Sequence, residues 1–204
     1  MGFRPVHLCF ILFFVIACIS CTSKPSIDPK IEALVAQKLM LDIRYFCEKS
    51  ELDVTTQRCT APVTTLPDDL KEMIADTGVG GIILFANTLV DTEQMLRLNR
   101  DLQTASTNGG PSPLLISIDQ EGGRVVRIPQ NISTAFSGNM AIGATYAEHG
   151  THFATLSGDV IAKELAVLGF NVNFAPSVDV NVNPENPVIN VRSFGEDPQV
   201  VAEL

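Results

Sequence analysis

Short apolar runs alternate along this chain with segments of helical period, and a chain so patterned is bound to lay parallel strands under helices. The runs are Leu39–Ile43, Gly81–Phe85, Leu114–Asp119, and Val172–Ala175 continuing to Val180. Their near-continuous apolarity suits strands covered on both faces, as in a parallel sheet. The helices between them are marked by their ends. Asp91 followed by Gln94 makes a capping box, after which Met95, Leu98 and Leu102 share one face. An earlier helix is expected to start at Pro67 and stop near Gly78, because proline suits the first helical position and glycine the residue past the last. A later helix should turn Phe153, Leu156, Val160 and Leu168 inward and end at Gly169.

Four such units in 204 residues predict an α/β fold, the first half of a truncated (β/α)8 TIM-type barrel, which when whole needs about 250 residues. A doubly wound open sheet is the alternative. A nucleotide-binding version of it would carry a glycine-rich phosphate loop after the first strand, and none follows Ile43. With 46% hydrophobic and 18% charged residues the chain can bury a core, and its length limits it to one globular domain. A formal charge of -9 and the lack of any basic cluster argue against a nucleic-acid partner, since phosphate binding draws on clustered Lys and Arg.

The first 21 residues are a separate object. Arg4 precedes an apolar run from Val6 to Ala17, then small residues and cysteines, then the polar Thr22-Ser23-Lys24. This is the pattern of a signal peptide, and the run is too short for a membrane span, which takes about 20 apolar residues. Val15-Ile16-Ala17-Cys18 and Cys18-Ile19-Ser20-Cys21 both resemble the lipobox of bacterial lipoproteins, so Cys18 or Cys21 is a candidate for acylation; an ordinary cleaved signal is the alternative. Residues 22–30 read as a polar linker and 31–204 as the barrel portion. The expected location is therefore the periplasm or cell envelope, with membrane contact only through a lipid anchor. Export permits disulfides, and Cys47 and Cys59 are the cysteines left after the leader. They are expected to pair, two buried thiols being the alternative.

The segment richest in chemistry is Ile118-Asp119-Gln120-Glu121-Gly122-Gly123-Arg124-Val125-Val126-Arg127-Ile128, at the C-terminal end of an expected strand, where barrel enzymes keep their sites. Two acids and two arginines about a Gly-Gly turn bring acceptors and donors together, as sugar hydroxyls require. A salt-bridged turn with no ligand accounts for the same composition. Arg192 has a local reading as the partner of Glu196 or Asp197 at a helix start. His149 and His152 are a weak hint of metal, lacking further ligands in pattern, and no metal site is expected.

This segment resembles the Asp-Gln-Glu-Gly-Gly-Arg-Val-x-Arg signature of the N-acetylglucosaminidase branch of glycoside hydrolase family 3. A second similarity lies in Phe174-Ala175-Pro176-Ser177-Val178-Asp179-Val180 and Asn190-Val191-Arg192-Ser193-Phe194-Gly195-Glu196-Asp197-Pro198. Weaker ones are Gly80–Phe85 and Met140–Thr145. The resemblance implies that Asp119 accepts hydrogen bonds from hydroxyls of the non-reducing sugar and that Arg127 and Arg192 donate to that ring. Glu121 and Arg124 would brace the loop, and Asp179 would be satisfied by a bridge to Arg192 or Arg127. It further implies a retaining exo-hydrolase of β-linked N-acetylglucosamine in chitin- or peptidoglycan-derived sugars, with no cofactor. The nucleophile and the acid/base histidine of that branch would lie downstream of the fourth strand, beyond Leu204. Two rivals remain: a β-glucosidase or xylosidase of the same family, and a sugar-binding lipoprotein without catalysis.

Overall fold

The computed structural model describes residues 28–47, 59–109 and 113–204. The expected leader, with Cys18 and Cys21, lies outside the described residues. The first described element is a helix, α1 (Pro29–Ala36), which overlaps the stretch expected to be linker. Its start is fixed locally: Pro29 sits in the first turn and the Asp28 carboxylate accepts the Lys30 N–H at 2.9 Å.

Strands β1 (Met40–Asp42), β2 (Gly81–Ile83), β3 (Leu115–Ile118) and β4 (Val172–Asn173) form a four-stranded parallel sheet in chain order. Helices α2 (Asp68–Thr77) and α3 (Thr92–Gly109) make the first crossovers. A longer excursion through α4 (Asn139–Gly143) and α5 (Tyr146–His149) leads into α6 (His152–Val167), and α7 (Pro198–Glu203) follows β4. Consecutive parallel pairing without strand reversal is the order of a barrel wall, and the expected (β/α) half-barrel is what the chain adopts.

The helix ends fall close to the expected positions, with Pro67 as the cap before α2 and not its first residue. Asp91 Oδ1 accepts from the Gln94 N–H at 2.8 Å, although the Gln94 side chain answers to Val90 N–H and not to the cap residue. Gly78 closes α2 in the left-handed conformation at φ 62°. The core lies between sheet and helices: Ile82, Leu84, Ile116 and Ile118 pack with Leu70 and Ile74 of α2 and Met95, Leu98 and Leu102 of α3, all fully buried or nearly so. Each such side chain contributes about 1.5–3 kcal/mol of burial.

Two expectations fail. Helix α6 turns Ser157, Ile161 and Leu165 inward and leaves Phe153 and Leu156 exposed at 37% and 48%. The stripes at 153/156/160 and 157/161/165 are both largely apolar, so period alone does not choose between them. The fourth strand also stops at Asn173 and does not continue to Val180. Pro176, joined to Ala175 by a cis bond, has no N–H to give a ladder.

Side-chain amides extend this short strand. Asn171 accepts from Ile116 N–H at 2.7 Å and donates to the Leu114 carbonyl at 2.9 Å. Asn173 accepts from Gln120 N–H at 2.9 Å and donates to the Gln120 carbonyl at 3.0 Å. Both residues thus pair with β3 through side chain as well as backbone, fixing where β3 ends and the signature loop begins.

Candidate sugar-binding site at the C-terminal end of the sheet

The loop after β3 is shaped by its two glycines and one amide. Gly122 and Gly123 have φ of 84° and 58°, and a Cβ on Gly123 would lie 2.8 Å from the Gly138 Cα. Only glycine allows both the turn and this close approach. Buried Gln120 receives the Arg127 N–H at 2.8 Å on its Oε1, which draws the returning limb of the loop back to its root. Arg127 is thereby set beside the strand end, and its Nη2 donates to Asp119 Oδ2 at 3.1 Å. With the Asp119 and Arg127 side chains 23% and 29% exposed, the pair remains open to a ligand. Asp119 Oδ1 has no protein donor among the described residues, so it can accept hydroxyls.

The second ion pair is more enclosed. Arg192 sits in a 3-10 turn at Asn190–Arg192 and grips Glu121 with two parallel bonds, Nε to Oε2 at 2.9 Å and Nη2 to Oε1 at 2.6 Å. The Glu121 side chain is 5% exposed and that of Arg192 27%. Fork-to-carboxylate geometry of this kind fixes orientation as well as energy. Nη1 donates to the Val188 carbonyl at 3.2 Å, which leaves two of the five guanidinium N–H groups for a ligand. The hydrogen bond to Glu121 raises the Arg192 pKa; burial opposes this, and the charges of Glu121, Asp179 and Asp119 add to it.

The turn carrying Arg192 is anchored on both sides. Asn139 of α4 donates to the Arg192 carbonyl at 2.7 Å, and buried Ser193 Oγ lies 2.6 Å from the Asp179 carbonyl. Asp119, Glu121, Arg127 and Arg192 thus converge in ion pairs beyond the end of β3.

Several partners differ from the sequence reading. Arg192 pairs with Glu121 and not with Glu196 or Asp197, because the chain fold brings a residue 71 positions away closer than its neighbours. Asp179 is met by Ser177 Oγ at 3.1 Å and not by Arg192 or Arg127. Arg124 is exposed, and the loop is held by Gln120, Gly122 and Gly123 instead. His149 and His152 both lie edge-on to the Phe153 ring. Cys47 and Cys59 form a disulfide with Cα atoms 5.4 Å apart, closing the loop after β1. Among the described residues no group of three His, Cys, Asp or Glu side chains is placed to hold a metal ion.

The roles of Gln120, Asn171 and Asn173 were missed from sequence. Their one signal is the presence of amides within or beside otherwise apolar strand runs.

A model of the glycosyl hydrolase family 3 N-terminal domain matches residues 27–204. The chain belongs to this family. It is 52% identical over 172 residues to beta-hexosaminidase A of Pseudoalteromonas piscicida, covering 84% of this chain and 28% of that protein. It is 35% identical over 144 residues to a beta-hexosaminidase of Thiobacillus denitrificans, covering 69% and 38%. Among solved structures, a family 3 beta-N-acetylglucosaminidase from Paenibacillus superposes with a TM-score of 0.71 at 36% identity, over 88% of this chain and 30% of that one. NagZ of Neisseria gonorrhoeae, solved in complex with N-trifluoroacetyl-D-glucosamine, gives 0.64 at 27% identity over 81% and 43%. The family 3 chain therefore spans between about a quarter and under half the length of these relatives.

Proposed function

We propose that the protein of which this chain forms the barrel's first half is a retaining exo-β-N-acetylhexosaminidase, removing terminal β-linked N-acetylglucosamine from chitin- or peptidoglycan-derived sugars. The carrying observation is the meeting of Asp119, Arg127, Glu121 and Arg192 beyond the C-terminal end of β3. Asp119 accepts from ring hydroxyls, and Arg127 and Arg192 donate to the ring, while Glu121 holds Arg192 in place. Similarity to beta-hexosaminidases favours the N-acetylated sugar over a glucoside or xyloside. Retention takes a nucleophile and a proton donor flanking the scissile bond. In this reading both come from segments beyond residue 204, and residues 28–204 supply the sugar-holding wall.

The leader gives the reading a place. Export through the signal peptide, with acylation at Cys18 or Cys21, sets the enzyme in the periplasm or cell envelope, where chitin and peptidoglycan fragments occur. Inhibiting lipoprotein signal peptidase should leave an unprocessed precursor, and normal maturation under inhibition would exclude the anchor.

The deciding experiment compares aryl N-acetylglucosaminide with aryl glucoside and xyloside on the full-length protein. Preference for the first is expected. Preference for a glucoside or xyloside would overturn the specificity, and binding of N-acetylglucosamine without hydrolysis would leave a sugar-binding protein.

A further inference from the structure

Phe85, directly after β2 and its buried neighbour Leu84, lies beside two guanidinium groups. The Arg44 Cζ is 4.2 Å from the ring centroid and the Arg127 Cζ 5.7 Å. Each cation is tied to its own carboxylate at a strand end. Arg44 donates to Asp42 through Nε at 2.7 Å and Nη2 at 2.6 Å, and Arg127 donates to Asp119. The hydrogen bond to Asp42 raises the Arg44 pKa. The same rim carries Tyr45, whose hydroxyl accepts from Nδ2 of Asn87, two residues past Phe85, at 2.8 Å.

An aromatic ring beside two cations solves a definite problem. The guanidiniums repel each other, and Arg127 has a buried Nε with no hydrogen-bond partner, so Asp119 alone fixes it. The negative face of a ring attracts a cation within about 6 Å without consuming any N–H donor, which leaves those donors for a ligand. Phe85 is half-buried, so its ring borders the open side of the site and not the core.

We propose that Phe85 is a positioning residue that holds the Arg127 guanidinium, and with it Asp119, in sugar-binding register, and that it braces Arg44 as a second cation on the same rim. This rests on the N-acetylglucosaminidase reading above. It adds that β1, through Asp42 and Arg44, and β2, through Phe85, contribute to the site together with β3.

The test compares Phe85→Leu and Phe85→Tyr in the full-length protein on an aryl N-acetylglucosaminide, with thermal melting alongside. Leucine keeps an apolar side chain but removes the ring; tyrosine keeps the ring face. Phe85→Leu should lower kcat/KM about three- to thirtyfold, mainly through KM, while Phe85→Tyr stays within about twofold of the parent. In a double-mutant cycle, Arg127→Lys should cost less in the Leu background than in the parent. If Leu and Tyr lose activity equally, or if melting falls while kcat/KM does not, the ring has only a packing role and the inference is overturned. If the parent protein cleaves nothing, calorimetric titration with N-acetylglucosamine carries the same comparison. A parent that neither cleaves nor binds overturns the functional reading itself, whereas a parent that binds with affinity indifferent to Phe85→Leu overturns this inference alone.

Discussion

Glu121 and Arg192 are where a single residue matters most to both stability and site. Removing one partner of an enclosed pair leaves the other charged and unpaired, which costs about 3–5 kcal/mol in buried cases. With Arg192 27% exposed, the lower end applies. Glu121→Ala should therefore lower the melting temperature by roughly 6–12 °C, at about 2–4 °C per kcal/mol for a domain of this size. Glu121→Gln, which keeps one acceptor, should lose less, and a Glu121→Ala protein that melts with the parent would contradict the assignment. The pH dependence follows from the direction of the Arg192 shift. A raised folded pKa means the arginine's share of stability is fully present below its ordinary value and is lost only as pH climbs through the raised one. The arginine's share is therefore constant well below its ordinary pKa, and a melting series at pH 6 to 9 should show no loss traceable to Arg192.

The candidate residues could be picked out because the signature loop is contiguous: Asp119, Glu121 and Arg127 fall within nine positions of one another. The partner of Glu121 was not legible, since a contact across 71 positions is decided by the fold and leaves no trace in local spacing.

At the scale of elements, strand existence and order were readable from alternation, and helix ends from Asp91, Pro67 and Gly78. The inward face of α6 was not, because the stripe of Phe153, Leu156 and Val160 is at least as apolar as Ser157, Ile161 and Leu165, which turn inward. Nor was the length of β4, where Asn171 and Asn173 replace part of the ladder with side-chain amides. Helix α4 shows how an element reaches the site. A Cβ on its last residue, Gly143, would collide with the Phe194 carbonyl, two residues past Arg192. Gly143→Ala should push this loop away, lower stability by about 1–3 kcal/mol and weaken substrate binding together with it. Unchanged melting and KM would show that α4 does not set the Arg192 loop. The loop after β1 is closed by Cys47 and Cys59, 12 positions apart. In the chain-entropy model such a closure is worth roughly 3 kcal/mol. Peptide mapping without reductant should recover the linked pair, and Cys47→Ser should melt several degrees lower; two alkylatable thiols in the native protein would refute it.

For the whole molecule, β1 and β4 are the edges of the described sheet, and Ile31, Leu34, Val35, Phe174 and Val182 are exposed apolar side chains. Open edges and apolar surface of this kind invite association. Residues 22–204 made alone should therefore aggregate and should not hydrolyse an N-acetylglucosaminide, whereas the full-length protein should stay soluble and active. Cleavage by residues 22–204 at the full-length rate would place the nucleophile among them, with Asp119 and Asp179 as candidates. The central claim is that Asp119 binds the sugar ring and does not attack it. The most direct measurement is kcat/KM of full-length Asp119→Ala on an aryl N-acetylglucosaminide, with melting recorded on the same samples. One lost charged hydrogen bond is worth roughly 1.5–3 kcal/mol, so the account predicts a fall of about ten- to a hundredfold in a protein that still folds. Undiminished kcat/KM, or abolition of all turnover with substrate affinity intact, would contradict it.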